Sequence, residues 1–319
     1  MSSMTICRIF VPLLAASILA CDVAGAAGVT VHDARDRDVR IENPARIVAI
    51  GGAITEILYA LGFEDRLAGV DTTSLYPPAA LRDKPNVGYM RQLSAEGVLG
   101  LNPSLVLAMQ GSGPKETIEI LEAAKVPLVM VPETFSEQGL LDKIALVGRA
   151  MDATPRAACL SSAVANDLAQ LRELRGKVTK PVRVMFVMSL LNGRAMAAGR
   201  NTAANEIIQL AGAVNAIDGY EGYKNVNDEA IIAAKPDVVL SIARSKDSVE
   251  AEAVYAHPAF ALTPAAGNKA FISMEGLYLL GFGPRTAAAA RDLSVKLYPA
   301  LAPQAEKFAA AALTADCRK

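Results

Sequence analysis

A short block of sequence occurs twice in this chain and strongly restricts the folds available to it. The two copies are SAEGVLGLNPSLVL at residues 94–107 and NDEAIIAAKPDVVL at residues 227–240. In each copy a capping residue, Ser94 or Asn227, precedes a short apolar helix, a proline ends that helix, and an apolar strand follows. A second pair, AITEILYALG at residues 53–62 and AANEIIQLAG at residues 203–212, precedes the first pair in the same order. The repetition predicts two lobes of one architecture.

Apolar runs and helical patterns alternate through both halves of the chain, which is typical of parallel sheets covered by helices. The predicted strands are 46–50, 67–70, 105–109, 126–131, 183–188 and 238–242, and residues 190–200 are predicted to be a loop. Residues 136–177 have almost no strand pattern, and 156–175 form an amphipathic helix that we interpret as a connector. We therefore predict an α/β fold of two Rossmann-like lobes with parallel-rich sheets, joined by a single long helix, with a ligand cleft between the lobes. The expected boundaries are 27–153 for the first lobe, 154–178 for the connecting helix and 179–319 for the second lobe.

The first residues have the pattern of a secretory signal rather than of a folded element. Arg8 precedes an apolar run at 9–20 that is too short to span a bilayer, and AGA at residues 24–26 fits a cleavage site. A signal peptide at residues 1–26 places the protein in the periplasm. An imperfect lipobox before Cys21 is the less favoured alternative and would leave a lipid-anchored chain. In that compartment Cys159 and Cys317 either form one disulfide or remain two thiols, and the sequence leaves both open.

The residues that an enzyme or a nucleic-acid-binding protein needs are not grouped in this sequence. The formal net charge is −1 and no basic tract occurs, so nothing indicates nucleic acid. The two histidines, His32 and His257, do not accompany a candidate nucleophile, and no phosphate-binding glycine motif follows a strand. We therefore expect no catalytic residues and a cleft that binds rather than converts a ligand.

Ligands of doubly wound sheets bind beyond the carboxyl ends of the strands, and several loops with charged or aromatic residues fall there. They contain Tyr89, Arg91, Arg194, Arg200, Arg244 and Lys246. Loop arginines are commonly solvated, so position alone gives these side chains only a candidate role.

Four motifs make the chain resemble the periplasmic haem (hemin)-binding proteins of bacterial ABC importers, a class that also includes cobalamin and ferric-siderophore carriers. They are GVDTTSLYPP (69–78), VGYMRQLSAEG (87–97), AAGRNTAAN (197–205) and LLGFGPRT (279–286). The resemblance extends over nearly all of the chain after the signal segment, and the YMRQLSAE block is its most specific part. It implies haem as the transported ligand and Tyr89 as the axial ligand of the haem iron. A phenolate is a hard anionic donor that suits ferric iron, and Arg91 is placed to stabilise it, because a free tyrosine ionises only near pH ~10.

The resemblance also suggests the rest of the pocket and its stoichiometry. Arg200, Arg244 and Lys246 are candidates for the haem propionates, and Met90, Met109, Leu190 and Tyr278 for the apolar face. Relatives that stack two haems place a histidine after the first strand of the second lobe, whereas residues 188–194 here are MSLLNGR. We therefore expect one haem, five-coordinate through Tyr89.

Related carriers dock on their permease through one acidic residue in each lobe. Glu116 fits the first of these positions, and Glu250 or Glu252 the second, although acidic residues also favour helix starts for purely local reasons. The expected partners are haem and an inner-membrane ABC permease with its ATPase, and the expected state is a monomer. The alternatives are a ferric-siderophore or cobalamin carrier of the same class and, from another class, an α/β enzyme acting on a tetrapyrrole.

Overall fold

The computed structural model of the protein describes residues 28–243 and 248–319. The predicted signal segment, Cys21 and the candidate propionate ligands Arg244 and Lys246 lie outside the described residues. The strands are β1 (Val29–His32), β2 (Asp38–Ile41), β3 (Ile47–Ile50), β4 (Leu67–Val70), β5 (Leu105–Met109), β6 (Leu128–Val131), β7 (Arg183–Leu191), β8 (Arg194–Ala198), β9 (Val214–Asn215), β10 (Tyr223–Val226), β11 (Val238–Ala243) and β12 (Phe271–Glu275).

The helices alternate with these strands through most of the chain. They are α1 (Gly52–Ala60), α2 (Ala79–Asp83), α3 (Ala95–Leu99), α4 (Lys115–Ala123), α5 (Glu137–Ala150), α6 (Thr154–Arg175), α7 (Ala203–Leu210), α8 (Asp228–Ala234), α9 (Ala251–Ala256), α10 (Pro264–Gly267), α11 (Gly276–Leu280), α12 (Thr286–Leu297), α13 (Ala302–Ala305) and α14 (Ala311–Thr314). Short 3₁₀ turns occur at Glu64–Arg66, Phe260–Leu262 and Pro299–Leu301. No helix in the described part of the chain is both long and apolar enough to cross a bilayer.

The first lobe is built on a parallel sheet with the strand order β4-β3-β5-β6. Every residue of β3 and β5 is buried, as expected for central strands covered by helices on both faces. The side chains of these strands form one core with those of α1 and α5. The predicted parallel sheet of this lobe is confirmed, whereas the antiparallel hairpin of β1 and β2 ahead of it was not predicted.

The second lobe has a mixed sheet centred on β7. β11 and β12 continue it in parallel on one side, and β8 and β10 extend it in antiparallel fashion on the other. The predicted loop at 190–200 is wrong, because β7 runs to Leu191 and turns directly into β8. The turn residues Asn192 and Gly193 have φ values of 51° and 69°, the conformation that makes Asn-Gly favourable in two-residue hairpins.

A single long helix, α6, connects the two lobes in the sequence. It packs against helices that precede it and helices that follow it in the chain. Its 22 residues span about 33 Å at 1.5 Å per residue. It starts at Thr154, before the predicted residue 156, because Pro155 lies in its first turn, where the N–H that proline lacks is not needed. Leu160, Val164 and Leu168 are buried where α6 contacts α5, α12 and α14.

The C-terminal tail is held against this helix by a disulfide and by hydrogen bonds. Cys159 of α6 and Cys317 form a disulfide with a Cα–Cα distance of 5.6 Å. The sequence left a disulfide and two free thiols open, and the structure contains the disulfide. The buried carboxylate of Asp167 accepts hydrogen bonds from the backbone N–H groups of Ala311 and Ala312 at 2.7 and 2.9 Å. Arg318 then reaches Glu64 in the first lobe at 2.9 Å. The tail therefore connects the long helix to the first lobe.

Candidate ligand-binding cleft

The loops that follow the parallel strands of the two lobes contact one another, so the lobes meet at the carboxyl edges of their sheets. A Cβ at Gly52, just after β3, would come within 2.6 Å of the Leu277 side chain in α11. The buried carboxylate of Glu56 in α1 binds the guanidinium of Arg285, which precedes α12, at 3.0 and 3.1 Å. This is the edge at which ligands of doubly wound sheets bind.

A buried aspartate shapes the first wall of this cleft. Asp71, at the end of β4, is fully buried and accepts hydrogen bonds from Gly51 N at 2.9 Å, Thr73 Oγ1 at 2.8 Å and Ser74 Oγ at 3.0 Å. A carboxylate with this many donors is well satisfied and holds its loop in one conformation. The next residue, Thr72, donates its N–H to the carbonyl of Gly88 at 2.9 Å. The loop after β4 thus supports the loop that carries Tyr89.

The Tyr89 loop presents a phenol together with an arginine. Gly88 has a φ of 94°, a left-handed conformation that glycine adopts without strain, and Tyr89 follows it with 38 % of its surface exposed. Arg91 Nη1 donates a hydrogen bond to Tyr89 Oη at 2.8 Å. The backbone N–H of Gly113 donates to the Met90 carbonyl at 2.9 Å, which ties this loop to the one after β5. The result is an accessible phenol oxygen that is hydrogen-bonded to a guanidinium.

Arg91 belongs to a group of ionisable side chains from both lobes, of which Glu133 and Tyr223 are half-buried. Burial raises the pKa of the Glu133 carboxyl, while Lys143 and Arg91 oppose that shift. Burial also raises the pKa of Tyr223, in the second lobe, to about 12, with a further increase from Glu133 and a decrease from Arg91. Glu133, Arg91 and Tyr223 therefore share one electrostatic environment that includes side chains of both lobes.

Lys143 is the most buried member of this group, with a relative exposure of 1 %. Its Nζ donates to the carbonyl oxygen of Phe282 at 3.1 Å, and burial lowers its pKa to about 8 although Glu133 acts in the opposite direction. Phe282 also packs edge-on against Phe135, with ring centroids 5.3 Å apart. The ammonium group of one lobe is thus a donor to the backbone of the segment that leads into α12.

This buried lysine predicts a characteristic dependence of stability on pH. The pKa is about 8 in the folded protein and about 10.4 in an unfolded chain, so between these values the unfolded chain holds more protons and the free energy of unfolding rises with pH. We expect Lys143 to contribute a rise of up to about 2 kcal/mol between about pH 8 and about pH 9.5. Denaturant unfolding of the wild type and of Lys143→Met should show this rise only in the wild type. Equal slopes in the two proteins would contradict the assignment.

A cavity of ≈ 480 Å³ lies between the loop after β4 and the start of α11. It is lined by Leu75, Tyr76, Glu275, Tyr278 and Arg285, so both lobes contribute to it. The Arg285 guanidinium lies 3.7 Å from the ring centroid of Tyr76 and 5.1 Å from that of Tyr278. Of these residues sequence reasoning named only Tyr278. Tyr76 lies in the motif SLYPP and Arg285 in the motif GPRT. Membership in these motifs is the only sequence feature that indicated either residue.

The other predicted site residues lie partly in the core and partly on the surface. Met90 and Met109 are buried in the core, with 7 % and 3 % exposure, and Leu190 is half-buried in β7. Arg200 is exposed in a segment bridged to Glu221, and among the described residues its guanidinium has no ion pair.

The residues expected to dock on a permease lie at the starts of two helices. Glu116 is exposed in the first turn of α4, and Glu250 and Glu252 flank the start of α9. Within the described ranges no three His, Cys, Asp or Glu side chains are grouped to hold a metal ion.

Comparison with known proteins identifies the class of this fold. Residues 47–276 match the family described as periplasmic binding protein. A solved structure described as periplasmic heme-binding protein BhuT in complex with two hemes is 39% identical, over 80% of this chain and 98% of that chain, with a TM-score of 0.76. The apo form of the periplasmic heme-binding protein RhuT from Roseiflexus sp. RS-1 is 38% identical, over 81% of this chain and 100% of that chain, with a TM-score of 0.77.

Curated relatives are more distant but cover much of the chain. The uncharacterized ABC transporter substrate-binding lipoprotein YvrC of Bacillus subtilis is 28% identical over 85% of this chain and 86% of its own length. The vitamin B12-binding protein of Vibrio campbellii is 26% identical over 65% of this chain and 74% of its own. These matches imply a location outside the cytoplasm and an ABC permease with its ATPase as partner. The two-lobed α/β fold, the cleft between the lobes and the family match together show that the chain belongs to the periplasmic binding protein family.

Proposed function

We propose that this protein captures one haem in the cleft between its lobes and delivers it to an inner-membrane ABC importer. The observation that carries the proposal is the hydrogen bond from Arg91 Nη1 to the exposed Tyr89 Oη, at the cleft edge of the first lobe. The similarity to structures described as periplasmic heme-binding proteins supports the same ligand. The cleft holds the ligand without converting it, in keeping with transport relatives.

In this proposal Tyr89 is the axial ligand of the ferric iron. A phenolate oxygen suits a hard ferric centre, and the guanidinium of Arg91, 2.8 Å away, compensates its negative charge. Because the phenol is exposed, iron can approach it without prior movement of the loop. Arg91 then acts as a positioning residue that holds the oxygen and favours its anionic form.

The propionates require cations elsewhere in the cleft. Arg200 is exposed and free of ion pairs in the part of the chain that the structure describes, so its guanidinium is available for a bidentate carboxylate contact. Arg244 and Lys246 remain candidates for the same role, and Tyr278 and Met90 for the surroundings of the ring. For docking on the permease we retain Glu116 in the first lobe and Glu250 in the second.

We propose a single haem because no histidine is present in the β7–β8 hairpin, residues 183–198. Because one relative is described in complex with two hemes, the number of hemins bound per chain should be measured directly. The vitamin B12-binding relatives make a cobalamin carrier the second candidate. The N-terminal segment, as a signal peptide, would place the mature protein in the periplasm, with lipidation at Cys21 as the alternative.

Titration of the purified protein with hemin tests both ligand and stoichiometry. We expect a haem absorption band of the bound form that saturates at one hemin per chain, and no spectral change or heat of binding with cyanocobalamin or a ferric siderophore. Saturation at two hemins would contradict the single-site proposal. Binding of cyanocobalamin without binding of hemin would favour the second candidate instead.

A further inference from the structure

The cavity between the loop after β4 and the start of α11 has two exposed large apolar side chains in its lining. Leu75 and Tyr76 are 48 % and 38 % exposed, and apolar and aromatic side chains of this kind line most small-molecule pockets. Tyr278 of the second lobe also lines this cavity. A concave site lined by exposed apolar side chains of one lobe and an aromatic ring of the other is suited to a flat apolar ligand surface.

The charges around the same cavity disfavour an anion. Among the described residues that line the cavity Arg285 is the one cation, and both Nε and Nη2 of this guanidinium already donate to the buried Glu56 carboxylate. A second carboxylate, Glu275, lines the cavity and accepts the backbone N–H groups of Leu277 and Tyr278 at 2.8 and 2.7 Å. Among these described residues one guanidinium is therefore opposed by two carboxylates, which together disfavour an incoming carboxylate.

The apolar wall is also held in place before any ligand arrives. The Arg285 guanidinium lies 3.7 Å from the Tyr76 ring centroid, a cation–π contact, and its bidentate pairing with Glu56 fixes the guanidinium in turn. The loop that carries Tyr76 is bound to the Tyr89 loop through Thr72 N and Gly88 O at 2.9 Å. The cavity wall and the Tyr89 loop thus hold a fixed position relative to each other.

We propose that the cavity of Leu75, Tyr76 and Tyr278 receives the apolar, vinyl-bearing edge of the macrocycle and so fixes the orientation in which the ring binds, with the propionates directed away from it. This inference rests on the proposed haem function. It assigns a specificity role to Leu75 and Tyr76, and a positioning role to Arg285 and Glu56, which hold the wall without contacting the propionates.

A cycle of ligand and protein variants tests the orientation. Deuterohemin keeps the iron and both propionates of hemin and has hydrogen in place of each vinyl group. We expect the wild type to bind hemin at least about tenfold more tightly than deuterohemin, because burial of each added carbon is favourable. Leu75→Ala should reduce this ratio of dissociation constants by about threefold or more, with the spectrum of bound hemin unchanged since Tyr89 remains. Comparing the hemin to deuterohemin ratio of the variant with that of the wild type cancels differences in the solution behaviour of the two porphyrins.

Leu313→Ala provides the matched control. Leu313 is 47 % exposed, closely matching Leu75, but lies in α14 on the C-terminal tail, and the hemin to deuterohemin ratio should stay at the wild-type value. An unchanged ratio in Leu75→Ala, or an equal fall in both variants, would overturn the inference. If Leu75→Ala instead alters the ratio of hemin to its dimethyl ester, the propionate edge occupies the cavity and the orientation is reversed. If the wild type binds no hemin, the proposed function fails and this inference falls with it.

Discussion

Replacing Glu56 with alanine is expected to lower the free energy of unfolding by about 3–5 kcal/mol. The side chains of Glu56 and Arg285 are only 6 % and 13 % exposed, and they are joined through two charge-assisted hydrogen bonds. Removal of the carboxylate leaves the guanidinium buried and unpaired, which costs far more than the pair itself contributes. Because α1 belongs to the first lobe and Arg285 lies just before α12, the loss should also loosen the contact between lobes.

Two comparisons separate the effect of the buried charge from other causes. Glu42→Ala removes the carboxylate of an exposed pair, Arg40–Glu42, with 68 % and 66 % side-chain exposure, and should change stability little. The double variant Glu56→Leu with Arg285→Met removes both charges and should recover most of the loss, because apolar replacement of a whole buried pair is close to neutral. Chemical denaturation measures all three. A Glu56→Ala protein as stable as the wild type would show that this pair does not join the lobes.

The core of the fold could be predicted from the sequence because it depends on local and repeated signals. Buried strands such as β3 and β5 are continuous apolar runs, and Ser94 and Asn227 cap the helices that precede two of the strands, as the repeated blocks indicated. Apart from β8, the strands that were not predicted include the sheet edges β10 and β12 and the separate β1–β2 hairpin, in which exposed and partly buried residues mix. The β7–β8 hairpin has a local signal in Asn192-Gly193, because both residues adopt the positive φ that a two-residue hairpin turn requires.

The site was predictable only in part, for a physical reason. Tyr89 and Arg91 are two residues apart in one loop, so their contact follows from local geometry, although the ligand role still rests on the resemblance. Glu56 and Arg285 are 229 residues apart, and no local pattern indicates that they meet. Met90 and Met109 are apolar residues beside candidate loops, and only the packing shows that they are in the core.

Replacing Tyr89 with phenylalanine is expected to weaken hemin binding by at least about 100-fold, since loss of an outer-sphere partner alone typically costs about 10–100-fold. The substitution removes one oxygen and keeps the ring, so the loop fixed by the Gly88 conformation and the Met90–Gly113 hydrogen bond should persist. Arg91→Met should have the smaller outer-sphere effect, about 10–100-fold, with the phenol still bound to iron. The two variants thus distinguish the ligand from the residue that positions it.

Tyr59→Phe is the matched control, because it removes the same atom from a tyrosine near the C-terminal end of α1, at the sheet edge opposite the cleft. The most direct test of the account is the absorption spectrum and dissociation constant of hemin with the wild type, Tyr89→Phe and Tyr59→Phe. The account predicts that Tyr59→Phe matches the wild type, while Tyr89→Phe loses the spectrum of the bound form and most of the affinity. If Tyr89→Phe binds hemin with the wild-type spectrum and affinity, Tyr89 is not the iron ligand and the central claim is wrong.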